Sequence, residues 1–351
     1  MHFPIQSKYL KIWFDILTPK QLLFFEPMII RLKKNHTVIC TSRRYREVIH
    51  LARIRRLKVI IVGRHGGAEK YGKLNASISR MNQLSRVIKE ISPDILISFC
   101  SPEAARIAYG FNIKHIAFQD SPHAEAVMRL TIPLVQKLLI PWVIPKKEFA
   151  KFGIDERNII SYKAIDAAVI AKRKISKKYS LPLDNRKKTI LIRVEEEQAA
   201  YSSKNGRIIS IIKAISEEFK DSNIIVLGRY SSQIKFLKKR FGKKITLLNK
   251  VVDGKKLLDN CNVFVGSGGT MTAEAALLGI PTISYNAVPN FIEKYLVRKK
   301  LVVRENSPVR MISIIKGFLS GVDKKTKLKA KKTLTQMEDP YQKLVNVINS
   351  L

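Results

Sequence analysis

The chain of 351 residues carries 65 Lys and Arg residues against 28 Asp and Glu, which gives a formal net charge of +37. This length favours two domains, and a hydrophobic content of 46% excludes an intrinsically disordered chain. The three cysteines lie far apart in the sequence, which argues against a disulfide framework and against a zinc site.

The positive charge suggests an anionic partner. Nucleic acid, anionic lipid headgroups and phosphorylated substrates are all attracted to such a charge. Because the basic residues are spread along the chain, a generally basic proteome explains them equally well. The N-terminus lacks the features of a signal peptide, and no apolar stretch approaches the roughly 20 residues of a membrane-spanning helix. We therefore expect a cytoplasmic protein, with a peripheral position at the inner face of the membrane as the alternative.

In the first half of the chain, apolar and β-branched segments alternate with segments of helical periodicity. This alternation predicts right-handed βαβ units and a parallel, doubly wound sheet. The predicted strands are 10–16, 36–42, 58–63, 94–100 and 114–120, and the predicted helices are 22–34, 46–56, 76–92 and 101–112.

Polar side chains follow three of these strands, where a doubly wound sheet generally binds its ligand. They are candidates for a general base, because a carboxylate or an imidazole at the edge of a cleft can take up a proton. The candidates are Asp15 after the first strand, His65 in the segment GRHGG, and Asp120 and His123 in the segment FQDSPHAEAVMR.

Each candidate also has a structural interpretation. Asp15 could cap a helix, with Lys20 beside it simply solvated. A lone histidine such as His65 is usually structural. Residues 118–129 could provide only a helix cap and an ion pair between Glu125 and Arg129, which are four residues apart.

The alternation stops in the strongly basic segment 171–188 and then restarts. We therefore predict an N-terminal Rossmann-like domain at 1–165, a basic linker at 166–187 and a C-terminal Rossmann-like domain at 188–335. Residues 336–351 are expected to form a helix, for which packing on the N-terminal domain is one option. In the second half the predicted strands are 188–194, 222–229, 243–249, 262–269 and 281–286, and the predicted helices are 206–220, 232–241 and 271–279.

A run of glycines joins the strand at 262–269 to the following helix. Gly266, Gly268 and Gly269 would expose backbone N–H groups at a helix N-terminus, which is a favourable site for a phosphate. Thr270 or Thr272 could cap this helix. The alternative is that the glycines only allow the strand and the helix to pack tightly.

Arg193 ends another predicted strand. Its guanidinium could bind a diphosphate in a bidentate manner and neutralise a leaving nucleotide. The acidic run at 195–197 could bind sugar hydroxyls or merely balance neighbouring lysines. No DxD pair of carboxylates that could hold a metal ion is present, so we expect no metal site and no required cofactor.

The segment GSGGTMTAEAALLGIPTI (266–283) resembles the C-terminal signature of GT-B-fold proteins, which include nucleotide-sugar glycosyltransferases and UDP-N-acetylglucosamine 2-epimerases. The resemblance implies that the turn holds the diphosphate of a nucleotide and that a Glu in the next helix holds the ribose. These roles fall on Ser267, Gly268, Gly269, Thr270 and Glu274. The resemblance also implies that two parallel α/β domains face each other across a cleft, with the acceptor on the N-terminal side.

Most of the chain is similar to an uncharacterised, mainly archaeal family with a GT-B-like fold. The similarity supports the fold more than any reaction. The matching segments are 12–32, 63–67, 98–110, 118–134 and 190–201.

Three functions fit these features. The first is a metal-independent glycosyltransferase that uses a nucleotide sugar of the UDP type. The second is a sugar-nucleotide epimerase; the segment SYNAVPNFIEKY counts against it, because known epimerases carry an acidic, Arg-containing segment there. The third is a non-catalytic protein that binds nucleic acid or another polyanion, although no nucleic-acid-binding motif is present.

Two segments suggest a membrane partner. Residues 324–332 contain six lysines and could rest on anionic lipid. Residues 134–145, with Trp142, could form an apolar surface, but a buried strand and its crossover explain this segment better. If either segment lies at a membrane, the acceptor of the transferred sugar could be a lipid-linked molecule or a glycan.

Overall fold

The computed structural model describes residues 9–67, 69–173, 183–195, 207–228, 231–248, 253–285, 287–288, 290–321 and 324–351. The described chain divides into two compact units. The first extends to Asp166 and takes in Glu338–Leu351, and the second runs from Ala167 to Met337. Of the predicted basic linker at 166–187, residues 174–182 lie outside the described residues, and its beginning at 166–171 is helical.

The first unit is built on a seven-stranded parallel sheet in the order β3-β2-β1-β4-β5-β6-β7. Its strands are β1 Lys11–Asp15, β2 Thr37–Arg44, β3 Ile60–Arg64, β4 Ile95–Ser98, β5 Lys114–Phe118, β6 Lys137–Pro141 and β7 Ile159–Tyr162. Its helices are α1 Pro19–Leu32, α2 Arg46–Ile54, α3 Lys70–Ile91, α4 Pro102–Gly110, α5 Glu125–Thr131 and α6 Lys147–Ala150, with α7 Asp166–Ala171 at the boundary.

The second unit has a six-stranded parallel sheet in the order β10-β9-β8-β11-β12-β13. Its strands are β8 Thr189–Arg193, β9 Asn223–Leu227, β10 Thr246–Leu247, β11 Val263–Gly266, β12 Thr282–Ser284 and β13 Val303–Arg304. Its helices are α8 Arg207–Glu218, α9 Ser231–Phe241, α10 Gly254–Asp259, α11 Thr270–Leu277, α12 Phe291–Arg298, α13 Pro308–Ser320 and α14 Lys324–Thr335. The last helix of the chain, α15 Pro340–Asn349, belongs to the first unit.

Both sheets are covered by helices on both faces. In the second unit, Ile212 of α8 and Ile315 of α13 pack on one face, whereas Leu258 of α10 and Ala275 of α11 pack on the other. The prediction of two parallel, doubly wound α/β sheets is therefore confirmed. In each sheet the strand order reverses beside the first strand, between β1 and β4 and between β8 and β11. At such a point the loops diverge and leave the carboxyl ends of the strands open to a ligand.

Aromatic side chains form the centre of the first unit. Phe24, Phe25, Phe99 and Phe118 contact one another with ring centroids 5.0 to 5.9 Å apart. The segment 134–145, considered above as a membrane surface, supplies strand β6, whose Leu138–Ile140 are fully buried. None of the described helices is both long and apolar enough to cross a bilayer.

His115 is the one histidine that the described core of the first unit encloses. Its Nε2 lies 2.9 Å from Ser98 Oγ, and burial lowers its pKa to about 3. The neutral ring is therefore favoured in the folded state, and stability is lost as the pH falls from 6.5, the ordinary value, through about 3.

We predict that wild-type protein loses up to roughly 5 kcal/mol of unfolding free energy over this acid range through His115, at about 1.4 kcal/mol per pKa unit. The variant His115→Gln should lack this component. Both tryptophans, Trp13 and Trp142, lie in the first unit, so urea unfolding followed by their fluorescence reports on it. The exposed His50→Gln variant is the control and should keep the wild-type acid sensitivity.

Candidate functional site

A lysine and two aspartates meet at the carboxyl edge of the first sheet. Lys20 Nζ lies 2.5 Å from Asp120 Oδ2 and 2.8 Å from Asp166 Oδ2. The three residues follow β1, β5 and β7, so the parallel direction of the strands brings them together. We call Lys20, Asp120 and Asp166 the lysine–aspartate cluster.

Local structure holds each member of this cluster in place. Thr18 caps α1, and Pro19 begins it, which places Lys20 in the first turn. Ser121 Oγ donates to Asp120 Oδ1 at 2.9 Å, and Tyr162 OH donates to Asp166 Oδ1 at 2.5 Å. Beneath the cluster, the Lys20 ammonium lies 4.8 Å from the centroid of the Phe99 ring.

The two carboxyl groups hold their protons with different strength. Burial raises the pKa of Asp166 to about 6; the Asp120 carboxylate adds to this, and Lys20 opposes it. Burial also acts to raise the pKa of Asp120, but its contacts with Lys20 outweigh this and leave that pKa below its ordinary value. Burial acts to lower the pKa of Lys20, yet attraction to both carboxylates leaves it above its ordinary value. The cluster therefore pairs an ionised carboxylate with one that can take up a proton near neutral pH.

The two carboxylates also differ in access. The Asp120 side chain is 13% exposed, whereas that of Asp166 is 1% exposed. His123 is half-buried near the cluster; burial lowers its pKa, with Asp120 acting to raise it and Lys20 to lower it further. The structure thus places two of the four predicted base candidates, Asp120 and His123, in one neighbourhood.

Asp15 does not belong to this cluster but is buried in the interior of the first unit. Its Oδ1 accepts hydrogen bonds from Arg80 Nη2 and from Thr41 Oγ1, both at 2.6 Å, and the side chain is fully buried. Trp13 Nε1 in turn donates to Thr41 Oγ1 at 2.7 Å. This network ties α3 to β1 and β2, so we assign Asp15 a structural role.

His65 follows β3, at the edge of the sheet. β3 lies four strands from β5, which is roughly 19 Å at the usual strand spacing, so the structure does not bring His65 together with Asp120. Its ring stacks on Tyr45 with centroids 5.5 Å apart, and its Nδ1 accepts from the Gly67 N–H at 3.1 Å. The neighbouring Gly66 packs on the start of α3, where an added Cβ would lie 2.5 Å from the Gly72 carbonyl oxygen. Both contacts agree with the structural interpretation of this segment.

In the second unit, the glycine turn Gly266–Gly269 lies at the point where the strand order reverses. Gly268 has φ +77°, and a Cβ there would lie 2.5 Å from the Ala287 Cβ, so this position requires glycine. Gly269 has an ordinary φ of −83°, and a Cβ there would meet no described atom within 4 Å. Space is therefore open directly beside the Gly269 backbone.

Helix α11 begins at this open space without a side-chain cap. Gly269 occupies the N-cap position, so the prediction that Thr270 or Thr272 caps the helix is wrong: Thr270 is the first helical residue and Thr272 is buried. Among the residues that the structure describes, the N–H groups of Gly269, Thr270 and Met271 have no backbone acceptor. Ser267 is half-buried beside them. Unpaired amides and the positive end of the helix dipole both favour an anion here.

Arg193 ends β8, the strand beside β11. Ile192 pairs with Val265, so the next residue along each strand brings Arg193 next to Gly266. Its Nη1 donates to the Gly228 carbonyl at 3.2 Å, and its own carbonyl accepts from Tyr285 OH. The guanidinium thus lies at the same sheet edge as the glycine turn. Glu195 is buried, and the remaining acidic residues of that run, Glu196 and Glu197, lie outside the described residues.

Glu274 points into the second unit. Its Oε2 accepts from Arg173 Nη1 at 2.9 Å, and Arg173 Nη2 donates to Asp253 Oδ1 at 2.6 Å. Glu274 is 6% exposed. Burial raises the pKa of its carboxyl, and Arg173 opposes this rise. The ion pair fixes α11 to α10 and the segment after α7; the ribose contact stays a prediction.

Several neighbours in the candidate site are not among the predicted site residues. Asp166 falls in the predicted linker because basic residues follow it, and Tyr162 ends β7, a four-residue strand that is not among the predicted ones. Lys20 was noted beside Asp15, and its position directly after the first strand was the available signal. Among the described residues, no three or more His, Cys, Asp or Glu side chains are grouped so that they could hold a metal ion.

Comparison with known proteins supports a family and a fold. A family model described as "Protein of unknown function (DUF354)" matches residues 10–351. An uncharacterized protein of Methanocaldococcus jannaschii, MJ0665, is 27% identical over 324 residues, which cover 88% of this chain and 92% of that protein.

Several solved structures have the same fold. A UDP-GlcNAc 2-epimerase from Neisseria meningitidis matches with a TM-score of 0.73 at 15% identity, covering 97% of this chain and 100% of that one. The UDP-GlcNAc 2-epimerase of Methanocaldococcus jannaschii matches with a TM-score of 0.70 at 17% identity, also covering 97% of this chain and 100% of that one. The glycotransferase of kitacinnamycin matches with a TM-score of 0.65 at 12% identity, covering 98% of this chain and 99% of that one. The expected similarity to GT-B proteins is confirmed at the level of fold.

We predict that Lys20→Met destabilises the first unit by about 3 to 5 kcal/mol at pH 8, because it leaves two buried carboxylates without their cation. Without Lys20 both carboxyl pKa values rise, so the loss should be smaller at pH 5, where the carboxyls can be protonated. Urea unfolding followed by tryptophan fluorescence measures both values. Lys151→Met, which removes an exposed pair with Glu148, should change stability by less than about 1 kcal/mol. An equal loss at both pH values would contradict this account of the cluster.

We also predict opposite outcomes for two adjacent glycines. Gly268→Ala should destabilise the second unit by about 1 to 3 kcal/mol, because of its positive φ and the contact with Ala287. Gly269→Ala should change stability by about 0.5 kcal/mol or less. Thermal unfolding followed by circular dichroism compares them, and equal destabilisation would show that the turn is not shaped as described.

Proposed function

The chain belongs to the DUF354 protein family, and we propose that it is a transferase that uses a nucleotide sugar of the UDP type. The glycine turn carries this proposal. It offers uncapped N–H groups at the start of α11, beside open space, at the point where a doubly wound sheet receives its ligand.

The donor diphosphate would bind to the turn. The N–H groups of Gly269, Thr270 and Met271 would donate to its oxygens. Gly266, Ser267 and Gly268 would shape the approach. Arg193 at the neighbouring strand end would add a positive charge. A ribose hydroxyl would have to compete with Arg173 for Glu274, so that predicted contact is the weakest part of the donor site.

Structural relatives support a UDP-type donor. The Neisseria meningitidis epimerase was solved bound to UDP-GlcNAc, and the Methanocaldococcus jannaschii epimerase in complex with UDP-GlcNAc and UDP. A further relative of the same fold, the spinosyn rhamnosyltransferase SpnG, was solved with thymidine diphosphate. A nucleoside diphosphate is the group that these three ligands have in common.

The first unit would provide the base. Lys20 keeps Asp120 ionised, and Asp120 is the more exposed of the two clustered carboxylates. In the transfer step, a base takes the proton of the acceptor hydroxyl while its oxygen bonds to the anomeric carbon, and Asp120 is our candidate for that base. The bond from that carbon to the diphosphate oxygen breaks, and the nucleoside diphosphate leaves with the electron pair. N–H groups and Arg193 stabilise the charge that develops on it. His123 is the second candidate for the base.

One observation favours a second candidate function, a sugar-nucleotide epimerase. Epimerisation removes a proton from a carbon and returns one to its other face, so it needs a basic and an acidic group together. Asp120 and Asp166 form such a pair, because their pKa values are displaced in opposite directions. One contact argues against this function. The acidic residue of the segment after β12, Glu293, is buried and accepts a hydrogen bond from Ser284 Oγ at 2.8 Å.

A thermal-shift comparison of UDP-, GDP-, CMP- and ADP-sugars tests the proposal. A ligand that binds only the folded protein raises its melting temperature. We expect UDP-sugars to raise it by several degrees and Gly269→Ala to abolish this shift, because a methyl group would fill the space at the turn. Gly317→Ala, an exposed position in α13 with equal free space, is the matched control and should keep the shift.

A shift that survives in Gly269→Ala would remove the turn from the binding site. NMR of the sugar after incubation with the stabilising donor then separates the two functions. Transfer or slow hydrolysis releases UDP, whereas epimerisation gives a new UDP-sugar in which the glycosidic bond is intact.

A further inference from the structure

A cavity of about 390 Å³ lies in the second unit, away from the glycine turn. Its walls include Lys188, Asn262 and Pro281, which precede β8, β11 and β12. It therefore opens at the amino ends of the strands, whereas the glycine turn follows the carboxyl end of β11. Its size falls within the range of small-molecule sites.

The wall of this cavity is part apolar and part polar. Leu258 and Ile280 form its buried part, and Phe318 and Leu319 at the end of α13 form a half-buried side. Apolar side chains that remain partly open to solvent mark a place where an apolar ligand gains free energy on binding.

The polar part of the wall is mainly basic. Lys188 and Lys327 contribute two ammonium groups, against one carboxyl group from Asp259. Lys327 belongs to α14, so this helix forms one side of the cavity. A wall with one apolar side and one mainly basic side fits an amphiphilic molecule that has an anionic head.

The outer face of α14 continues the same pattern. The helix contains six lysines and no acidic residue. Leu328 is 71% exposed, and Lys325, Lys331 and Lys332, which are three or four positions away and share its face, are exposed as well. Ala330 and Thr333 are buried and anchor the helix, and Lys327 Cα approaches the Gly279 position on the α11 side. α14 is thus an anchored helix whose solvent-exposed face is basic with one exposed apolar side chain.

We propose that the cavity and the solvent-exposed face of α14 form a binding site for an anionic phospholipid at a membrane surface. An acyl chain would lie along the apolar side of the cavity, and the phosphate headgroup would lie against Lys188 and Lys327. Leu328 would enter the lipid interface, and the surrounding lysines would contact further headgroups. Each lysine near an anionic bilayer contributes about 1 kcal/mol.

The apolar features favour lipid over nucleic acid. A nucleic acid would use the lysines of α14, but it would leave Leu328 and the cavity without a function. The chain has a net charge of +37, which increases attraction to an anionic bilayer at long range. The proposal does not depend on the nucleotide-sugar reaction.

Sedimentation with lipid vesicles tests the surface. Full-length protein should bind vesicles of equal parts phosphatidylglycerol and phosphatidylcholine, and not vesicles of phosphatidylcholine alone. Lys331→Gln/Lys332→Gln should lower the partition coefficient about 30-fold, since two lysines contribute about 1 kcal/mol each. Lys33→Gln/Lys34→Gln removes the same charge from exposed lysines of the first unit and should lower it by less than about threefold.

A variant and a matched control test the proposed contact of Leu328 with the lipid. Leu328→Ser should weaken binding about tenfold or more, because an interfacial leucine loses its burial in the bilayer. Leu130→Ser, at a comparably exposed leucine of α5, should leave binding unchanged. Both leucines are exposed, so neither variant should disturb folding.

Cys261 reports on the cavity itself. It lines the cavity and is half-buried, whereas Cys40 and Cys100 are buried. Vesicles with phosphatidylglycerol should slow alkylation of Cys261 by N-ethylmaleimide at least threefold, because an acyl chain covers the thiol. An unchanged alkylation rate on bound protein would overturn the cavity assignment.

Two further results would overturn the proposal as a whole. One is equal binding to neutral and anionic vesicles. The other is tighter binding to a duplex DNA oligonucleotide that falls in Lys331→Gln/Lys332→Gln but stays unchanged in Leu328→Ser, which would assign α14 to nucleic acid.

Discussion

The reversal of strand order beside the first strand of each sheet is the constraint on which both candidate sites depend. On either side of β8 and β11, successive connections run in opposite directions along the sheet, so the loops after these strands diverge. The glycine turn follows β11 at this point. In the first unit the same reversal separates β1 from β4, and Lys20 and Phe99 follow these two strands. Topology thus leaves two places open, and local chemistry decides what each can bind.

The two places use different chemistry. The glycine turn offers backbone groups, and its shape depends on a left-handed residue, Gly268, packed against Ala287. The lysine–aspartate cluster offers side-chain charges whose burial is compensated internally, since one ammonium serves two carboxylates. An uncapped helix start suits an anion that arrives from solution, whereas the cluster suits proton transfer. This division agrees with a donor site in the second unit and a base in the first, and it would hold for a transferase or an epimerase.

Periodicity and strand ends predicted most of the fold, because a buried parallel strand is continuously apolar and the loop after it is polar. The same reasoning could not distinguish Asp15 from Asp120, which both follow an apolar strand. Asp15 forms a buried ion pair with Arg80, which is 65 positions later in the chain, and no local sequence pattern shows such a pairing. Asp166 was missed for the same reason, because its partners Lys20 and Asp120 are distant in sequence. The helix cap was mispredicted because both threonines near Gly269 lie inside the helix rather than before it.

The most direct test of the central claim, that the glycine turn binds a diphosphate, is NMR of protein labelled with nitrogen-15 at its 16 glycines. Titration with UDP should move the amide signals of Gly268 and Gly269, the latter assigned by its loss in Gly269→Ala, while the signal of Gly317 in α13 stays in place. UDP binding, detected by calorimetry, that leaves the signals of Gly268 and Gly269 unchanged and moves those of other glycines would contradict the claim.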